Sequence, residues 1–369
     1  MTDQLDRLNR LPLREDLRGL TPYGAPQLDV PVLLNVNENT HGLPEDVRRA
    51  IVEAVDHAVA GLNRYPDREF TELRERLAAY LGHGLTAENI WAGNGSNEVL
   101  QQLFQAFGGP GRTAMSFPPT YSMYPLLASG TGTRYVSGVR SEDFLLTAGS
   151  AAEQVREQAP NIVLLCTPNN PTGTALPLDV VEAVYEAGEA SRTIVIVDEA
   201  YGEFFHAGTP SALTLLPGRE RLIVSRTMSK AFALAGARVG YLAAAPEITD
   251  ALRLVRLPYH LSAITQAAAN AALAHADALL ANVEAIKIQR DRIVAELESL
   301  GLKPAPSDAN FVFFGGLENP RAVWEGLLEA GVLVRDIGIP GHLRVTAGTE
   351  EETTAFLSRL RELLAAGVR

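Results

Sequence analysis

The stretch from Ile90 to Ala244 constrains the fold more than any other part of the chain. Short apolar runs at 90–92, 113–117, 134–139, 161–167, 193–197, 222–225 and 239–244 alternate with segments whose apolar residues recur at helical spacing, such as 96–107, 121–128, 151–158 and 178–190. The run Thr-Ile-Val-Ile-Val at 193–197 is β-branched throughout, which suits a strand buried on both faces. Strand and helix in alternation imply a mostly parallel sheet covered on both sides. Two amphipathic helices, 44–65 and 67–81, precede it. After about residue 263 the texture changes: a long helical stretch, 262–300, broken near 276, ends at Gly301 with Pro304 beyond. Strand 311–314, helix 321–330, strands 332–335 and 342–345 and helix 350–364 then make a smaller α+β unit. At about 150 residues per domain, a chain of 369 residues is expected to form two. The expected division is an N-terminal arm, 1–40, a large domain, 41–262, and a small domain, 263–369, with the arm packing on the small domain or a partner subunit.

Composition removes several classes. No apolar run approaches the 18 or so residues of a membrane span, and residues 1–18 carry no apolar core of a secretory signal. The formal charge of −12 lacks the basic excess of a nucleic-acid binder. Cys166 is the sole cysteine, so no internal disulfide forms, and the seven histidines show no pair at metal-ligand spacing; no metal site is expected. A cytoplasmic protein is expected. Among 32 basic residues only Lys230, Lys287 and Lys303 are lysines, so chemistry that needs an amine nucleophile has three candidates.

Lys230 stands out. Seven uncharged, mostly small residues follow it, whereas Lys287 sits near Arg290. A desolvated lysine has a lowered pKa and suits a Schiff base with an aldehyde cofactor. Thr227 and Ser229 precede it and Arg238 lies eight positions on; hydroxyls and a guanidinium are what a phosphate requires. An ordinary loop lysine is the competing reading of this segment. Asn169-Asn170-Pro171-Thr172-Gly173 leaves one strand, and Asp198-Glu199-Ala200-Tyr201 ends another. A carboxylate at a buried strand tip needs a cationic partner, and open α/β sheets bind ligands at these ends. Gly93-Asn94-Gly95-Ser96-Asn97-Glu98 opens a helix and offers backbone N–H groups to a phosphate, although it matches neither the dinucleotide fingerprint nor the P-loop.

Asn-Pro-Thr-Gly, Asp-Glu-Ala-Tyr and Ser-Lys with an arginine eight residues on, in this order, resemble the fold type I pyridoxal-phosphate aminotransferases. The resemblance covers nearly the whole chain. It implies an α/β fold, with a large domain built on a mostly parallel seven-stranded sheet and a smaller α+β C-terminal domain. It implies pyridoxal 5'-phosphate bound covalently by Lys230, which also shuttles the substrate proton. Asp198 would pair with the pyridinium nitrogen, and Asn170 and Tyr201 would hydrogen-bond the ring oxygen. Tyr121 would stack on the ring, and Ser96, Asn97, Thr227, Ser229 and Arg238 would hold the phosphate.

Thr21-Pro22-Tyr23-Gly24, Leu34-Asn35-Val36-Asn37-Glu38-Asn39, Arg64-Tyr65-Pro66-Asp67 and Leu343-Arg344-Val345-Thr346 narrow the resemblance to the histidinol-phosphate aminotransferases. That family's reaction converts histidinol phosphate and 2-oxoglutarate to imidazole acetol phosphate and glutamate in histidine biosynthesis. Carried over, Tyr65 reaches the neighbouring subunit's cofactor phosphate in a homodimer, and Tyr23, Asn37, Arg335 and Arg344 bind substrate. Two departures are visible: Thr40-His41 replaces Pro-aromatic after Asn-Glu-Asn near the substrate mouth, and Asn97 stands where Asp is common. An aromatic amino-acid aminotransferase shares every cofactor residue, and Tyr23 and Arg335 weigh against it. A phosphothreonine-type decarboxylase uses the same scaffold. A transcription regulator with this fold needs a DNA-binding domain that 1–36 is too short to supply.

Overall fold

The computed structural model describes residues 10–19, 24 and 26–369. Its centre is a seven-stranded sheet in the order Ile90–Asn94, Val239–Ala244, Leu222–Thr227, Ile194–Asp198, Ile162–Cys166, Thr113–Ser116, Arg134–Ser137. Val239–Ala244 runs antiparallel to both of its neighbours; every other pairing is parallel. The middle strands are buried on both faces, as their near-continuous Val and Ile content requires. In register, Cys166 pairs with Asp198 and Asp198 with Ser225, so the polar ends of three strands lie side by side.

A three-stranded antiparallel sheet, Leu343–Thr346, Phe311–Gly315 and Lys303–Pro304, packs on the helix Ala276–Ser299, and the helix Glu350–Ala365 packs against both that helix and Pro320–Glu329. Val32–Leu33 pairs in parallel with Val332–Leu333, and Thr346 N–H donates to the Leu34 carbonyl at 2.9 Å. Residues 32–34 are thereby tied to the C-terminal unit.

Several element bounds differ from expectation for local reasons. The expected helix 67–81 begins only at Thr71, because the Asp67 carboxylate accepts the N–H groups of Glu69 and Thr71 and folds 67–70 into a turn. The expected helix 44–65 stops at Val59, and a turn through Gly61 and Arg64 follows. His275, at φ −121°, separates the helices Ala263–Ala274 and Ala276–Ser299; Ser262 caps the first by accepting from Thr265 N–H. The helix Pro246–Val255 carries proline in its first turn, where a missing N–H is harmless. Among the described residues, no helix is long and apolar enough to cross a membrane.

Candidate active site

A cavity of about 650 Å³ opens at the C-terminal ends of the parallel strands, between them, the segment 35–38 and the loop that follows Arg335. Open α/β sheets bind ligands in this crevice, outside the carboxyl ends of their strands. Alternation along the strand Ile194–Asp198 explains the Asp-Glu pair: successive side chains leave opposite faces. Asp198 lines the cavity. Glu199 turns away, where Arg226 donates to its Oε2 at 2.7 Å and to Glu203 at 3.1 Å. Ser211 and the Ala212 N–H complete the Glu199 carboxylate. Among the described residues Asp198 has no such cation. Tyr124 donates to its Oδ2 at 2.9 Å, and its buried Oδ1 has no hydrogen-bond partner. Burial therefore pushes the Asp198 carboxyl up to about 6, against the Tyr124 hydroxyl and the Ala200 N–H, which favour the charged form. An orphaned buried oxygen facing a cavity is a place for a ligand's proton donor.

Lys230 follows the strand Leu222–Thr227 and donates from Nζ to the Val36 carbonyl at 3.2 Å. Burial pulls its amine down to about 8, helped by the cations Arg344 and Arg238 and opposed by Glu38. The amine is thus half neutral near pH 8, where an ordinary lysine is almost wholly charged, as a nucleophile or base requires. The Tyr201 hydroxyl accepts from Asn37 Nδ2 at 3.0 Å, and burial raises its pKa to about 12, so it stays a donor.

The floor of the cavity is an anion cup. Gly95, at φ +84°, precedes the helix Ser96–Phe107, whose first turn leaves N–H groups without helical partners. A side chain at Gly95 would strike the Arg238 guanidinium, and one at Gly240 would strike the Ser96 backbone. Both glycines are needed to bring strand, helix and arginine together. Thr227 Oγ1 donates to Ser229 Oγ at 3.0 Å, and Arg238 Nη1 reaches the same Ser229 oxygen at 3.4 Å. Arg238 itself adopts φ +56°, a conformation rare for its type and common at binding sites. Tyr121 donates to Asn97 Oδ1 at 3.1 Å, which gives the unexpected Asn97 a defined role as acceptor.

On the opposite wall Arg344 is buried, with Nη1 donating to Asn170 Oδ1 at 2.6 Å and Nη2 to the Asn35 carbonyl at 2.9 Å. Arg335 is joined to it by a backbone bridge, so the two guanidiniums arrive from adjacent chain segments, with Ile337 and Ile339 beside them. The cavity is therefore lined by the guanidiniums of Arg238, Arg335 and Arg344 and by the carboxylates of Asp198 and Glu38.

Of the site residues named from sequence, all but Tyr65, expected to serve a neighbouring subunit, and Tyr23 line this cavity. Tyr65 does not line the cavity; it is 79% exposed and stacks on Tyr259, ring centroids 4.4 Å apart. Tyr23 lies outside the described residues. The segment through Asn37 ends its contribution at Glu38, so Thr40 and His41 do not reach the cavity. Sequence reading missed Tyr124 and the Glu199–Arg226–Glu203 cluster. An arginine in a strand of apolar residues signals a buried carboxylate partner, so Arg226 was findable; Tyr124 was not. Among the described residues no group of acidic, histidine or cysteine side chains is placed to hold a metal ion.

A profile of the aminotransferase class I and II family matches residues 30–360. Histidinol-phosphate aminotransferase of Paenarthrobacter aurescens (strain TC1) is 77% identical over 364 residues, covering 99% of this chain and 98% of that one. The protein of the same description from Frankia casuarinae is 60% identical over 363 residues, covering 97% and 91%. Among solved structures, histidinol-phosphate aminotransferase from Sinorhizobium meliloti in complex with pyridoxal-5'-phosphate matches with a TM-score of 0.85 at 26% identity, covering 96% of this chain and 98% of that one. With a matching sheet, a matching profile over most of its length and relatives this similar, the chain belongs to the class I and II aminotransferases.

Proposed function

We propose that the protein transfers the amino group of histidinol phosphate to 2-oxoglutarate, giving imidazole acetol phosphate and glutamate, with pyridoxal 5'-phosphate as cofactor. The observation that carries the reading is one cavity with an amine of lowered pKa, an orphaned buried carboxylate, an anion cup on one side and an arginine pair on the other. The donor set fits the cofactor: the cup suits its phosphate, Asp198 Oδ1 its ring nitrogen and Lys230 its aldehyde.

When bound, pyridoxal phosphate supplies an electron-poor ring that takes up the charge left as a substrate C–H bond breaks. The chain does the rest. Thr227, Ser229, Arg238 and the first turn of the helix at Ser96 and Asn97 bind the phosphate. Asp198 keeps the ring nitrogen protonated, and Tyr201 and Asn170 donate toward the ring oxygen. Tyr121 covers one ring face. Lys230 Nζ takes the proton from the substrate carbon and returns it to the neighbouring position, work suited to an amine that is half neutral near pH 8. Arg344 and Arg335 receive the substrate's anion, a phosphate in one half-reaction and a carboxylate in the other, and bidentate geometry is available to both. Asn37 positions Tyr201 from the substrate side, and Tyr23 belongs to the same receptor.

The same reading places a homodimer in the cytoplasm, with Tyr65 serving the neighbouring subunit's cofactor phosphate. Supporting it, Leu62, Tyr65, Leu254 and Leu257 are exposed on neighbouring segments, more apolar surface than an isolated enzyme needs. It also divides the chain into arm 1–40, large domain 41–262 and small domain 263–369. The seven-stranded sheet falls within the second and the three-stranded sheet within the third. An aromatic amino-acid aminotransferase is the second reading, since Ile337, Ile339 and Tyr121 offer walls for a phenyl ring.

The test is a pair of half-reactions on the purified protein. Histidinol phosphate alone is expected to shift the visible absorption of the bound cofactor, and 2-oxoglutarate to restore it. A spectrum indifferent to both contradicts the proposal.

A further inference from the structure

We propose that Tyr124 is a positioning residue: it holds one oxygen of Asp198 back in the protein so that the other meets the cofactor's ring nitrogen as a charged acceptor. The inference rests on the pyridoxal-phosphate reading above and deepens it. Tyr124 is the second residue of the helix Met123–Thr131, and its ring is fully buried edge-on to Tyr121, centroids 5.5 Å apart. Nothing about that packing requires a hydroxyl. The hydroxyl is nevertheless directed at Asp198 Oδ2, 2.9 Å away, while the buried Oδ1 of the same carboxylate has no hydrogen-bond partner among the described residues and Asp198 itself lines the cavity.

The surroundings make this contact decisive. Cys166 and Ser225 flank Asp198 in the sheet, and neither is a cation. Glu199, next in sequence, disfavours a second charge, and its own countercharge Arg226 is committed to Glu199 and Glu203. Two donors hold the carboxylate ionised, the Tyr124 hydroxyl and the Ala200 N–H, and the first of these also fixes its rotation. Burial beside Asp198 raises the Tyr124 phenol well above its ordinary range, so it remains a donor throughout the working range of pH. The two carboxylate oxygens thus have separate tasks: Oδ2 is anchored and Oδ1 is presented. Without the hydroxyl the carboxylate keeps only the Ala200 N–H, loses the anchor on Oδ2 and is more easily neutralised by a proton of its own.

A double-mutant cycle on cofactor affinity separates this role from mere packing. Tyr124→Phe keeps the ring and removes only the hydroxyl. The dissociation constant of pyridoxal phosphate, read by spectral titration of full-length apoprotein, is expected to rise roughly tenfold or more in the otherwise native chain. In an Asp198→Asn background the same change is expected to raise it by less than about threefold, because the charge through which Tyr124 acts is gone. An equal loss in both backgrounds, or no loss in the native one, overturns the proposal and leaves the cofactor reading intact. A native chain that takes up no pyridoxal phosphate overturns both.

Discussion

Asp198→Asn in the apoprotein is expected to gain stability relative to the native chain as pH rises. Burial without a cation holds the Asp198 carboxyl at about 6 in the folded chain, against 3.8 as its ordinary value. Between those two values the folded state binds more protons than the unfolded state, so its stability falls as pH rises through the window. About two units at 1.36 kcal/mol each put the full penalty near 3 kcal/mol, reached above about pH 6. Asparagine preserves the shape and does not titrate. Its amide leaves a donor unpaired in the site, a cost of roughly 1–3 kcal/mol, but that cost is independent of pH and cancels from the slope. The assay is urea unfolding of cofactor-free native and variant protein from pH 4.5 to 7.5. The difference in unfolding free energy is expected to move in the variant's favour by about 2 kcal/mol between pH 4.5 and 7.5, the rest of the penalty lying below that range. Saturating pyridoxal phosphate is expected to reverse the order, since the ligand stabilises the chain that binds it better. A difference that stays flat with pH, or moves against the variant, refutes the reasoning.

Three further outcomes follow from the same geometry. Arg226→Ala strands Glu199 and Glu203 without their cation inside the protein and is expected to cost about 3–5 kcal/mol in urea unfolding; a loss under 1 kcal/mol would mean that water replaces the guanidinium. Arg335→Ala is expected to lower kcat/KM for histidinol phosphate more than for 2-oxoglutarate, by about 2–5 kcal/mol if the phosphate is held dry, because buried Arg344 remains for the carboxylate. Borohydride reduction followed by peptide mapping is expected to find the cofactor on Lys230, and a label on Lys287 or Lys303 would remove Lys230 from the centre of the site.

The sheet was legible because its strands obey one simple rule. Ile194–Asp198 and Ile162–Cys166 are buried on both faces, and burial on both faces leaves an unbroken apolar run up to the last residue of each. Bounds were misread where a side chain competes with the helix for backbone N–H groups, as Asp67 does. The pairing of Val32–Leu33 with Val332–Leu333 could not be read either, since two residues carry no periodicity. At the site, Lys230, Asp198 and Arg238 announced themselves by chemistry that is costly or odd in a plain loop or strand. Tyr124 did not. An aromatic in an apolar helix reads as core, and only the register of three strands brings Asp198 under its hydroxyl. The Asp-Glu pair was half legible: the alternation of strand side chains sends the two carboxylates to opposite faces, but which face holds the cavity depends on the topology.

The central claim is that the arginine pair selects a phosphate-bearing amine. The most direct measurement is kcat/KM for amino transfer to 2-oxoglutarate from histidinol phosphate and from phenylalanine, on the same preparation. A receptor built for a dianion is left unpaired by a substrate that lacks one, and such mismatches are worth up to about 10⁴-fold. The account predicts a preference for histidinol phosphate of at least about a hundredfold, reduced by Arg335→Ala. Comparable values for the two amines, unmoved by that substitution, would contradict it.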